Sequence, residues 1–365
     1  MKLHWDYEEN LLKISGSLYR YYGIDRGHGS DPELDCYLES RRPRCVIALL
    51  IDAMGISILE KHLAHGSFFR SHLLKQVSTV YPPTTTAATT SFLSGHSPAE
   101  NGWLGWNQYF KEQDDNIILF LNRSQYRQKK YPPGWSTEAL PAEKIYDVLN
   151  ERGIQADSVW PGWAPHHPCG TFPELLDTAG QLSRSCSFIY AYWDQFDDLL
   201  HENGTDGPEI SEQLEILDNT VQSFAGTLPE DTVLLCIADH SQINVESYDL
   251  SSDEALCACF AHDPALERRT TAFYIRPGKE AEFENLFRER FPDQFLLLDH
   301  KETVESGIFG PGIPSERFEE FIGDYTAFAL TPLQLDYKRA SVMKGNHAGM
   351  VEAERYIPVI VYPLK

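Results

Sequence analysis

Four stretches of this chain carry consecutive apolar residues with almost no polar interruption: Cys45–Ile51, 187–193, 233–238 and 357–362. Runs of this length without alternation predict strands buried on both faces, as in a mainly parallel sheet. Polarity with a helical period lies between them. Residues 142–152 are amphipathic and stop at Gly153, and 209–224 read as a helix that precedes the strand at Val233. Strands alternating with helices predict an α/β core, a mainly parallel sheet with helices on both faces. After His240 the pattern changes. Residues 269–275 read as a strand, Arg276, Pro277 and Gly278 as a turn, 279–290 as a helix and 294–298 as a strand again. This β-α-β unit predicts a small α+β cap inserted over 244–338, with the core formed by 1–243 and 339–365. Residues 1–40 read as a helix and loop outside the sheet.

Charge narrows the partners. With 54 acidic and 31 basic residues the formal net charge is −23. That disfavours a nucleic-acid backbone or an anionic membrane as the main partner, since both need a basic face. A small phosphorylated substrate stays open, because bound metals reverse the local field. The N-terminus shows no apolar signal region and no stretch is long enough to span a bilayer, so a cytoplasmic location is expected. Seven cysteines, an odd number in a chain of 365 residues, read as reduced thiols. Cys257 and Cys259 lack a second pair at metal-binding spacing.

The candidate chemistry sits at the strand ends. Asp52, Asp197 and Asp239 come at or just after the C-terminal ends of predicted strands, the edge at which open α/β sheets bind ligands. Asp239 and His240 close a buried run, where charge is seldom placed without pairing or coordination. Asp197 and His201 lie one helical turn apart and can share a metal, with Asp194 and Asp198 competing for the same role. Thr84, Thr85 and Thr86 follow Pro82 and Pro83 and precede a predicted helix over 87–93. A hydroxyl there can meet an incoming phosphate at the helix N-terminus, or simply cap it. His347 lies near the C-terminus, and His166, His167, His262 and His300 read as surface or core residues. Three Asp, three His and one hydroxyl can hold two adjacent divalent ions, Zn²⁺ first and Mn²⁺ second, and aim a nucleophile at phosphorus. Trp103, Trp106 and Tyr109 follow the nucleophile helix and offer an aromatic wall for a base or sugar, or pack the core edge.

These motifs resemble the type I phosphodiesterase and nucleotide pyrophosphatase family of the alkaline phosphatase superfamily, over about residues 46–361. Asp52 stands in Leu-Ile-Asp-Ala-Met-Gly. Pro82 lies three residues before Thr85, and Ser94-Gly95 follow nine and ten residues after it, which selects Thr85 over its neighbours. The segment 97–102, the pattern from Tyr192 through Asp197 and His201 to Gly204, the Trp160-Pro-Gly162 triplet, Asp239-His240 and His347 complete the likeness. The resemblance implies one Zn²⁺ on Asp197, His201 and His347 and another on Asp52, Asp239, His240 and the Thr85 oxygen. It also implies a phospho-threonine intermediate and a substrate contact near Asn107. Phe196, Ser241 and Ala348 depart from the usual Pro, Gly and Gly without removing a ligand. A sulfatase signature is absent.

The expected function is metal-dependent hydrolysis of a phosphodiester or nucleotide pyrophosphate. The rivals are a phosphomonoesterase or phosphonate hydrolase on the same scaffold, and a catalytically inactive metal-binding protein. Diesters are expected to outrun monoesters, because no cationic residue stands between Pro82 and Gly95 to hold a dianion. Exchanging the cap is expected to change substrate choice more than metal content.

Overall fold

The computed structural model describes residues 4–164, 166–338 and 343–364. Cys45–Ile51, buried at every position, is the middle strand of a seven-stranded sheet. The order is Leu73–Ser78, Tyr356–Tyr362, Thr232–Ile237, Cys45–Ile51, Phe188–Trp193, Ala156–Pro161 and Pro168–Cys169. The apolar runs fill its centre, where pairing is parallel, and Tyr356–Tyr362 runs antiparallel to both of its neighbours. Helices cover both faces. Tyr190 meets Phe92 of helix Thr85–Ser94 at 6.1 Å, whereas Trp193, an odd number of residues on, meets Phe172 of helix Phe172–Leu182 at 5.5 Å. The register sets Ile51 beside Trp193 and Leu50 beside Ile237. Asp52, Asp239 and the helix Gln195–Asn203 that carries Asp197 therefore emerge at one edge of the sheet.

The N-terminal region braces this core with two helices, Leu11–Tyr21 and Pro32–Arg41. Ser15 Oγ donates to Phe92 O at 2.6 Å and Tyr19 OH to Leu93 O at 2.7 Å, so the first helix holds the back of Thr85–Ser94.

A second seven-stranded sheet is antiparallel at every pairing between its strands, so the mainly parallel expectation applies to the first sheet alone. It is also wider than a β-α-β insert over 244–338. Thr270–Ile275 and Phe295–Asp299 are there, with the helix Glu280–Arg290. They are joined by Phe260–Leu266, Tyr325–Ala329 and three strands from earlier in the chain: Asn107–Phe110, Asp115–Ile118 and Arg123–Ser124. Those three were hidden by their polar interior. Gln108 and Asn116 are buried and satisfied by backbone, Gln108 Oε1 accepting from Leu104 N at 2.6 Å and Asn116 Nδ2 donating to Pro264 O at 2.7 Å. No apolar alternation marks such a strand.

Two short pairings close the base of this lobe. Ile243–Asn244 pairs with Gly345–Asn346, and Glu246–Asp249 with Leu333–Asp336. The expected return to the core at 339 falls in residues 339–342, outside the described residues. Among the described residues no helix is long and apolar enough to cross a membrane.

Candidate metal centre and nucleophile

Asp52 follows the central strand directly, and the chain then turns sharply, with Ala53 at φ 59°. Ala53 N donates to Asp239 Oδ1 at 3.1 Å, locking the two strand ends together. Thr85 opens its helix. Its Oγ1 lies 3.3 Å from Asp52 Oδ2 and 3.2 Å from His240 Nε2. Its neighbours stand elsewhere: Thr84 Oγ1 donates to Glu267 Oε1 at 2.6 Å, and Thr86 Oγ1 is buried and contacts neither Asp52 nor His240 through a hydrogen bond. Asp197 and His201 meet at 3.1 Å through Oδ2 and Nε2. The His347 ring stacks on His240 at 3.9 Å and lies 5.2 Å from His201. All seven predicted ligand or nucleophile residues thus converge on one edge of the sheet.

The three imidazoles share one arrangement. Nδ1 of His201 faces Gly345 O at 2.8 Å, Nδ1 of His347 faces Pro83 O at 3.0 Å and Nδ1 of His240 faces Ser241 O at 3.2 Å. A carbonyl can only accept, so each Nδ1 carries a proton and Nε2 is the atom each ring turns to the centre. This is the second-sphere pattern that orients metal-ligating histidines.

The electrostatics demand cations. Asp52 and Asp239 are fully buried, and burial, followed for Asp52 by the nearby Asp239 and Asp197 charges, raises both carboxyls above the ordinary range. Burial acts the same way on Asp197, but His201, His347 and His240 outweigh it and hold that carboxyl low. His347 is pushed well below its usual value by burial and by the facing His240. For His201 the desolvation is outweighed by Asp197, so its pKa rises. One oxygen each of Asp52 (Oδ1) and Asp239 (Oδ2) is buried without a hydrogen-bond partner, and these lie 3.3 and 3.5 Å from His240 Nε2. Orphaned anionic oxygens are costly unless a cation meets them. Two groups have ligand atoms mutually within 4.8 Å: Asp197, His201 and His347, and Asp52, Asp197 and His240. Asp197 belongs to both. This oxygen and imidazole donor set fits two adjacent divalent ions.

Other residues fall differently. Trp106 lines the pocket over the centre, and its backbone N–H donates to Glu267 Oε1 at 2.6 Å. Asn107 does not line that pocket; its Nδ2 donates to Leu266 O at 2.9 Å, and it borders a separate small cavity. Tyr109 stacks on His262 at 4.4 Å within the lobe. Trp103 Nε1 donates to Leu140 O at 3.0 Å, and its ring lies 5.8 Å from Phe120 and borders the same cavity as that residue. Asp194 accepts from Trp163 Nε1 at 2.6 Å, and Asp198 joins the pocket wall.

Sequence reasoning missed several supports. Tyr192 OH donates to Asp52 Oδ2, and Gln242 Nε2 donates to Asp197 Oδ1. Both stand beside residues already singled out, the one signal available. Glu267 and Arg268 reach the pocket from the lobe, and nothing near them in the sequence marks them. Two departures now have local reasons. Ala348 takes φ 74°, a left-handed conformation that glycine adopts without strain. Ser241 is accommodated by Gly55, where a Cβ would lie 2.1 Å from Ser241 Cβ.

Fold and site together define a hydrolytic enzyme of the alkaline phosphatase superfamily. Residues 46–274 match the sequence model of the type I phosphodiesterase / nucleotide pyrophosphatase family, and the chain belongs to that family. No curated protein sequence matches it. Among solved structures it is similar to human ectonucleotide pyrophosphatase / phosphodiesterase 5, at 14% identity and a TM-score of 0.66, covering 87% of each chain. The murine counterpart gives 14% identity and a TM-score of 0.65, covering 86% of this chain and 87% of that one; an inactive variant of it was solved with AMP. Phosphonoacetate hydrolase from Sinorhizobium meliloti, in complex with phosphonoformate, gives 15% identity and a TM-score of 0.64, covering 87% and 90%.

Proposed function

We propose that this chain hydrolyses phosphodiester or nucleotide pyrophosphate bonds with two Zn²⁺ ions, through a phospho-threonine on Thr85. The observation that carries the reading is the position of Thr85 Oγ1, at a helix N-terminus and within 3.3 Å of both Asp52 and His240. Asp52, Asp239 and His240, with Thr85 Oγ1, would hold one ion; Asp197, His201 and His347 would hold the other. Bound ions supply a lowered hydroxyl pKa and charge neutralisation on the phosphoryl oxygens. Thr85 Oγ1 attacks phosphorus in line. The bond to the leaving oxygen breaks, and its electron pair departs with that oxygen. The Thr85 proton leaves with that oxygen. Water then attacks the same phosphorus, the P–Oγ1 bond breaks with its electron pair on Oγ1, and one water proton restores the Thr85 hydroxyl while the OH stays on phosphorus. The first-turn N–H groups of helix Thr85–Ser94, which have no intrahelical acceptors, are placed to receive phosphoryl oxygens.

The leaving group has an aromatic wall beside it. Trp106 of the metal pocket lies 6.3 Å from Phe120, Phe120 lies 6.4 Å from Trp163, and Trp163 lies 6.1 Å from Trp160. The last three border a cavity of about 240 Å³ along the helix that begins with Thr85. Trp163 is 50% exposed, which suits a surface waiting for a flat partner. Trp163→Ala is expected to raise KM for nitrophenyl thymidine monophosphate about three- to tenfold and to change kcat less, in steady-state assays. An unchanged KM would remove the cavity from the substrate path.

One observation favours a second reading. Arg268 stands in the pocket wall, a cation of the kind that a phosphonate or monoester dianion wants. Its Nη1, however, donates to Asp336 Oδ1 at 2.6 Å, so its charge is already matched and the diester reading stays ahead. The deciding experiment is a panel with Zn²⁺ or Mn²⁺: nitrophenyl phosphate, bis-nitrophenyl phosphate, nitrophenyl thymidine monophosphate and phosphonoacetate. The diesters should lead. A monoester or phosphonoacetate kcat/KM about tenfold above both would install the second reading, and no turnover of any would leave an inactive metal-binding protein.

A further inference from the structure

We infer that Arg269 and Glu354 are positioning residues for the metal centre: one buried ion pair, half from the lobe and half from the core, holds the loop that presents His347 and seats the residue whose backbone holds the loop of His240. The inference rests on the metal reading above. Both side chains are fully buried. Arg269 Nη2 donates to Glu354 Oε1, and Arg269 Nη1 donates to Thr331 O at 2.8 Å and Leu333 O at 2.9 Å. The guanidinium is therefore anchored in the lobe before it meets the core.

Glu354 spends its other acceptors on the two histidine loops. Its Oε2 accepts from Gly349 N at 2.6 Å, two residues past His347. Its backbone O accepts from Ser241 N at 3.1 Å, one residue past His240. The His347 loop needs such a tie, because Ala348 is held at φ 74°. The stacked His240 and His347 rings, 3.9 Å apart, are thus referred to a single residue. A buried ion pair used for stability alone is replaceable by apolar residues at little cost. Here the carboxylate instead makes a hydrogen bond that fixes the His347 loop and seats the backbone carbonyl that holds the His240 loop, and partners of this kind tune metal affinity about ten- to a hundredfold.

Gly349 supplies a probe that leaves both charges in place. A Cβ on it would lie 2.5 Å from Arg269 Nη2 and 2.9 Å from Glu354 Oε2, inside the pair. Removing Arg269 alone would strand a buried carboxylate, so the companion variant is the charge-free double substitution Arg269→Met with Glu354→Gln. Zn²⁺ titration by calorimetry, alongside urea unfolding of the metal-free proteins, reads both effects. The expected result is an unchanged urea midpoint for the double variant and a Zn²⁺ Kd raised about ten- to a hundredfold in both variants, with kcat recovering at saturating Zn²⁺. Wild-type Kd in a folded Gly349→Ala protein overturns the inference, and that variant decides the matter if the double variant does not fold. A wild-type protein that takes up no Zn²⁺ would defeat the metal reading itself, a different and separately visible failure.

Discussion

Thr85→Ala is expected to cut turnover of bis-nitrophenyl phosphate by about 10³–10⁶-fold, the range for loss of a covalent nucleophile. The fold should survive. Thr84, not Thr85, is the residue that precedes the first helical turn, and the partners of the Thr85 hydroxyl, Asp52 and His240, are the groups a bound ion would engage. Metal content measured by mass spectrometry should stay near two ions per chain. Thr85→Ser should keep substantial activity, because the attacking atom remains. Thr84→Ala removes a bond to Glu267 rather than a nucleophile and should cost less than about tenfold. If Thr84→Ala or Thr86→Ala abolishes turnover while Thr85→Ala retains it, the nucleophile has been placed one residue off. If all three remain active, no phospho-threonine forms.

The second large effect runs in opposite directions with and without metal. Asp52→Asn is expected to abolish activity and lower metal content, yet to stabilise the metal-free protein by about 0.5–2 kcal/mol. Burial and the nearby Asp239 and Asp197 charges raise the Asp52 carboxyl above its ordinary pKa. A carboxyl whose folded pKa is raised contributes stability below its unfolded pKa and loses it as pH rises. The gain from Asp52→Asn should therefore widen as pH rises above the ordinary carboxyl range. Urea unfolding in EDTA, repeated with excess Zn²⁺, measures both signs. A metal-free Asp52→Asn protein less stable than wild type would show that the carboxylates do not strain the empty centre.

Much of this was legible in the sequence, and the reasons are specific. Cys45–Ile51 and Thr232–Ile237 are buried on both faces, so their apolar runs are uninterrupted and their ends are visible. Asp52, Asp239 and His240 sit at those ends, and Asp197 and His201 follow on the helix after Phe188–Trp193, which is why strand ends pointed to the centre. The polar strands Asn107–Phe110 and Asp115–Ile118 were not legible, because their buried amides are satisfied by backbone, Gln108 by nearby Leu104 and Asn116 by Pro264 far along the chain, and no apolar alternation results. Asn107 was misread for the same reason: proximity to the nucleophile along the chain said nothing of its turn toward Leu266. Glu267, Arg268 and Arg269 carry no motif, and only folding brings them to the site. The last of these also revises the view of the lobe as exchangeable. Taking it away would remove Arg269 from Glu354 and reach the metal loops, not substrate choice alone.

The strand Tyr356–Tyr362 lies not at the rim of its sheet but between Thr232–Ile237 and Leu73–Ser78. A ribosome delivers it after both of its neighbours, so each of them waits with an edge unpaired. Those edges are templates for foreign strands until it pairs with them. One short helix, Glu352–Arg355, separates this strand from the loop of His347. A chain cut short before His347 would lack both the strand and that imidazole, whereas one that includes the strand completes the first sheet and carries every ligand of the centre.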